Sequence, residues 1–132
     1  MDSVPPAMPR LRVTAEEGRQ APVQDGHLSA LLMAHGSLEV RWLAQHPAEA
    51  QTPHDRDELY VVVSGSGVFV RTDEQVPFGE PGHVGVLGEV RVTVSPGDTL
   101  FVPAGTVHQF EAMSPDFGAW MIFYGPEGGE GA

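Results

Sequence analysis

Apolar and polar residues alternate with period two in several short runs along this chain. Val90, Val92 and Val94 alternate with Arg91, Thr93 and Ser95. Leu38, Val40 and Trp42 share one face of an extended segment while Glu39 and Arg41 take the other. A period of two is the signature of a half-buried β-strand. Residues 58–63 read as a strong strand closed by Ser64-Gly65-Ser66-Gly67, and residues 68–71 return as the next. Residues 99–102 form a short apolar strand between two turns, Pro96-Gly97-Asp98 and Pro103-Ala104-Gly105. In the first turn Pro fixes φ, Gly tolerates positive φ and Asp98 bonds its own backbone. Residues 108–112 and 117–124 supply two further strands.

Residues 28–34 and 38–44 pair as a hairpin around His35-Gly36-Ser37. Residues 28–34 alone would also make two helical turns, too short to stand as a helix. Residues 72–89 carry Pro77, Gly79, Pro81, Gly82, Gly85 and Gly88 and read as an extended excursion at one end of the fold. Residues 1–26, with Pro5, Pro6, Pro9 and Pro22, read as an N-terminal arm with at most one strand near residues 11–14. Residues 125–132 are Gly- and Glu-rich and read as a flexible tail. Many short strands with regular turns predict an all-β single domain, a sandwich or small barrel.

Composition narrows the function. Eighteen acidic residues face seven Arg and no Lys, a formal net charge of −11. That field repels phosphate backbones, so nucleic acid and anionic membranes are not expected partners. No apolar run approaches the roughly 20 residues of a membrane span. Residues 1–10 lack the apolar core of a secretory signal, and a cytoplasmic location is expected. The absence of Cys removes disulfides and thiolate chemistry.

The chemistry-bearing residues fall in two stretches. One is His108, held behind its own turn. The other is Gln51-Thr52-Pro53-His54-Asp55-Arg56-Asp57-Glu58. In a straight strand four residues span about 13 Å, too far for His54 and Glu58 to share one ion. A helix would put them on one face, with Thr52-Pro53 as its start, but the Val run that follows argues against it. A turn at Asp55-Arg56-Asp57 would bring both to one end of a sheet, where His108 could join them. Two imidazoles and a carboxylate suit Fe(II) with open coordination positions and also accept Zn(II), Mn(II) or Ni(II).

These residues resemble the cupin superfamily, small bacterial double-stranded β-helix barrels of jelly-roll-like form. Gly97, Pro103, Gly105 and His108 match the family's Gly…Pro-x-Gly…His…Asn motif, with Ala112 in place of the Asn. His54, Glu58 and Gly65 match its Gly…His-x-His…Glu…Gly motif, with His46 at the leading Gly and Thr52 at the first His. The resemblance implies a cupin barrel over residues 27–124, with His54, Glu58 and His108 as metal ligands inside it. It leaves the fourth ligand position to water, Thr52, Gln51 or His46.

Arg56 is a candidate clamp for a substrate carboxylate, with surface pairing to Asp55, Asp57 or Glu74 as the plainer reading. Tyr60 shares strand parity with Glu58, so it reads as a core residue that could also line the cavity as an acid or base. Phe101, Phe110, Trp120, Phe123 and Tyr124 read as core, and His27, His35, His46 and His83 as solvated. Three functions compete. The favoured one is a metal-dependent enzyme, oxygenase-like, acting on a small organic molecule. The others are a non-catalytic small-ligand module and a metal-free isomerase or epimerase. The last suits a chain without Lys least. A homodimer is expected from the unpaired sheet edges and the resemblance.

Overall fold

The computed structural model describes residues 9–46, 54–72 and 88–131. Eight strands are present among them: β1 (Ala30–His35), β2 (Leu38–Ala44), β3 (Asp57–Ser64), β4 (Gly67–Thr72), β5 (Glu89–Val94), β6 (Thr99–Val102), β7 (His108–Glu111) and β8 (Gly118–Tyr124). They form a five-stranded sheet, β1-β2-β8-β3-β6, and a three-stranded sheet, β5-β4-β7. Every strand pair is antiparallel. The expected hairpin around Gly36 is present as β1–β2, with a bulge between Leu31 and Met33. β3 and β4, although consecutive, lie in different sheets, and the chain crosses between them at Gly65. This is the cupin β-barrel fold.

The interior is filled by alternate residues of both sheets, as the pleat requires. Tyr60 and Val62 of β3, Ala119, Met121 and Phe123 of β8, Phe69 of β4 and Phe110 of β7 form one buried cluster with Leu43, Val94, Val102 and Phe117. Phe101 departs from its expected core role. It lies on β6, the edge of the larger sheet, and is 44% exposed, because its neighbours Leu100 and Val102 take the inward positions.

The N-terminal arm also differs from expectation. Residues Ala15–Gln20 form a helix, α1, where at most a strand near residues 11–14 was predicted. Its start is a capping box: the Thr14 hydroxyl accepts from the Glu17 N–H, and the Glu17 carboxylate accepts from the Thr14 N–H. Thr14-Ala15-Glu16-Glu17 carries that signature in the sequence. Six residues cannot hold a helix alone. Gly18 seats α1 directly on the Trp42 ring, and the Arg19 guanidinium lies 5.4 Å from that ring's centre. Trp42 in turn packs edge-on against Trp120, its β8 partner. The Val40–Trp42 face of β2 is therefore the outer face under the helix, while Leu43 of the opposite parity enters the barrel core. Among the described residues no helix is long and apolar enough to cross a membrane.

Ala112, which replaces the motif's Asn, adopts φ +51°. A left-handed backbone costs an L-residue with a Cβ roughly 1–2 kcal/mol, and Asn tolerates it better than Ala. Ala112 is exposed, so an added amide meets water. Ala112→Asn is expected to stabilise the protein by about 0.5–1 kcal/mol in a urea melt. A variant no more stable than wild type would show that the left-handed backbone at residue 112 is not what sets its preference.

Candidate metal centre

β3 places Glu58 on the same inward face as Tyr60 and Val62, and all three are essentially inaccessible to solvent. β7 does the same for His108 and Phe110. His54 belongs to no strand. It precedes a bend at residues 55–56, and β3 begins immediately after. The turn reading thus holds for this segment, although Asp57 already belongs to β3. The His54 carbonyl accepts a 2.6 Å hydrogen bond from the Gly105 N–H, which ties this loop to the turn before His108.

These elements bring His54, Glu58 and His108 together: one ligand atom from each lies within 4.8 Å of the others. Glu58 Oε1 is 3.1 Å from His108 Nε2 and 4.0 Å from His54 Nε2. The two imidazole rings are 5.5 Å apart and tilted by 54°. His108 Nδ1 lies 2.9 Å from the Thr106 carbonyl, so Nδ1–H donates there and the Nε2 lone pair is directed at Glu58. Tyr60 Oη sits 3.2 Å from the same Nε2. Phe123 packs edge-on against His54 at 4.7 Å. Burial pushes the His54 imidazole below its ordinary pKa, against the opposing pull of Glu58. That favours the neutral ring, the form that binds an ion.

The donor set fits a divalent ion. His54 Nε2 and both Glu58 oxygens are buried without a hydrogen-bond partner. Each such orphan costs about 1–3 kcal/mol. A cation among the three side chains would satisfy all of them at once. His54 keeps 35% of its side chain exposed while Glu58 and His108 keep none, so the cluster is reached from the His54 side.

The other candidates are placed elsewhere. Arg56 donates to Glu39 Oε2 and to the Ser37 carbonyl, each at 2.6 Å, and lies over the Phe123 ring. It faces the β1–β2 turn, paired with Glu39 and, among the described residues, not with the expected Asp55 or Asp57. Burial alone would raise the Glu39 carboxyl, but hydrogen bonds from Arg56 and Arg41 hold it below the usual range. His46 is outside the cluster. It lines a separate cavity of about 290 Å³ beneath α1, with Gly18, Arg19, Trp42 and Gln45. It is half-buried there, and this placement on the helix side of β2 keeps it out of the ligand cluster. His27 and His35 are exposed, as expected. Gln51, Thr52, Glu74 and His83 lie outside the described residues. Asp57, read only as a surface partner, is in fact 6% exposed and accepts hydrogen bonds from the Ala104 and Glu130 N–H groups. Nothing in the sequence around position 57 marks it, because both amides arrive from distant residues.

The cupin domain family matches residues 40–124. An uncharacterized protein of Streptomyces coelicolor is 27% identical over 91% of this chain and 99% of its own length. An acireductone dioxygenase of Frankia alni is 30% identical over 96% of this chain, and the chain spans 64% of that protein. A solved structure from Bacillus halodurans superposes with a TM-score of 0.61 at 17% identity, covering 90% of this chain and 84% of that one. Since the family match takes in β2 through β8 with both motif segments, this chain belongs to the cupin family.

Proposed function

We propose that the chain is a metal-dependent oxygenase acting on a small organic molecule, with the ion held by His54, Glu58 and His108. One observation carries the reading: three side chains from two distant segments converge within 4.8 Å, and their inward oxygens and one nitrogen have no hydrogen-bond partner. The likeness to an acireductone dioxygenase supports the oxygenase class. A bound Fe(II), Mn(II), Ni(II) or Zn(II) would supply Lewis acidity and, where redox-active, a route to O₂.

The chain's own residues do the rest. The Thr106 carbonyl fixes the His108 tautomer, so that Nε2 and not Nδ1 is the donor. Glu58 is locked by the pairing of β3 with both β6 and β8. Phe69, Phe110 and Phe123 surround the inner end with apolar wall, which keeps bulk water from the ligands. Tyr60 puts a hydroxyl beside Nε2, within reach of a polar group on a bound molecule.

The test is elemental analysis of protein purified without added metal, followed by oxygen uptake with an acireductone. We expect close to one ion per chain in wild type, less than about a tenth of that in His54→Ala, and metal-dependent uptake. Wild-type protein that takes up none of the four ions would end the proposal.

A further inference from the structure

We infer that Asp57 and residues 126–130 form a clasp that holds the His54 loop against the turn leading to His108, and so sets the spacing of the ligand cluster. The inference rests on the proposed metal site and names how its geometry is kept. Glu58 and His108 are fixed by strands, whereas His54 lies in an irregular segment. Something other than a sheet ladder must hold it.

The clasp has three parts. The His54 carbonyl accepts from Gly105 N–H at 2.6 Å, which joins the loop to the β6–β7 turn. The buried Asp57 carboxylate then bridges two segments: Oδ1 accepts from Ala104 N–H at 2.9 Å and Oδ2 from Glu130 N–H at 3.0 Å. Finally, Gly128 N–H donates to the Asp55 carbonyl at 2.6 Å. The last segment thus holds two of the three residues that link His54 to Glu58, Asp55 and Asp57. Residues 125–131 do not stand away from the domain as a free tail would.

Their glycines make this contact possible. Gly129 has φ +90°, and a Cβ there would lie 2.9 Å from Asp57 Oδ1 and 3.2 Å from the Ala104 Cβ. A composition that reads as flexibility therefore serves close approach. Asp57 is a positioning residue and not a ligand, because both of its oxygens are taken by main-chain amides. Carboxylates that accept amide hydrogen bonds are strong supports, and groups that orient metal ligands commonly control affinity.

Two variants and two readouts test the clasp. One variant ends the chain at Tyr124 and the other is Asp57→Asn, which keeps the shape but turns an amide donor toward one N–H. The first readout needs no metal: amide exchange at Gly105, with the Val62 amide at the far end of β3 as the control. We expect exchange at Gly105 to quicken at least tenfold in both variants and Val62 to stay unchanged. The second is Co(II) affinity and the visible spectrum of the Co(II) form. We expect affinity to fall roughly 10- to 100-fold, with an altered spectrum. Unchanged Gly105 exchange in the truncated chain would overturn the clasp. So would quickened exchange with wild-type Co(II) affinity, since the spacing would then be set elsewhere. If wild type itself takes up no Co(II), the metal reading fails, and Gly105 exchange alone decides the clasp.

Discussion

At about a hundred times its dissociation constant, a divalent ion that binds this protein should raise Tm by roughly 10 °C, and Glu58→Gln should abolish the rise. A ligand at that excess stabilises the folded state by about 2.7 kcal/mol, and a chain of this size gains a few degrees per kcal/mol. Without metal, the variant is not expected to lose stability. Both Glu58 oxygens are buried without hydrogen-bond partners, and Oε1 stands 3.1 Å from the lone pair on His108 Nε2. An amide in the same place can turn its N–H₂ toward that lone pair. Metal-free Glu58→Gln should therefore melt at or above the wild-type temperature while losing its response to metal. A merely structural glutamate would not give that pair of results. Thermal scans with and without each ion are sufficient, and an equal metal-induced shift in both proteins would remove Glu58 from the site.

Much of this is legible in the sequence. Residues 99–102 and 108–111 form strands between their flanking turns, and the Asp98 carboxylate closes the first turn by accepting from the Ser95 N–H three residues before it. Convergence of His54, Glu58 and His108 is what the resemblance to the two cupin motifs implies, and a turn at residues 55–57 is one local route to it. Periodicity fails where a second layer covers the sheet. Trp42 and Val40 are buried, so alternation marks their face as covered, but it cannot say whether the cover is barrel or helix. The helix is marked locally by the Thr14–Glu17 capping box, a signal that hydrophobic periodicity does not contain. Asp57 was missed because burial of a carboxylate depends on two amides that arrive from residues 104 and 130. No local pattern around position 57 records those. Arg56 found Glu39 through the β2–β8–β3 order, again a fact of sheet topology.

Gly65→Ala should be among the most damaging single changes available to this fold. The motif glycine sits at the crossing from β3 to β4, where the chain leaves one sheet for the other. Its φ is +77°, and a Cβ would stand 2.5 Å from Ser114 Oγ and 2.7 and 2.8 Å from the Phe117 Cα and N. The corner cannot open to make room. Ser66 N–H donates to Ser114 Oγ, Ser114 N–H donates to the Ser66 carbonyl, and Ser64 Oγ donates to the Asp116 carbonyl, all within 2.7–2.9 Å. Left-handed backbone costs about 1–2 kcal/mol, and forcing a methyl against main chain adds about 1–3 more. Tm should drop by roughly 10–15 °C. Gly105→Ala supplies the comparison: its φ is +81°, but nothing lies within 4 Å of the added methyl. It should lose only the backbone share. Adding Ser114→Ala to Gly65→Ala should restore little, because the Phe117 main chain still blocks the site. Equal losses in Gly65→Ala and Gly105→Ala would show that conformation alone, and not the closeness of the two sheets at this corner, demands glycine at position 65.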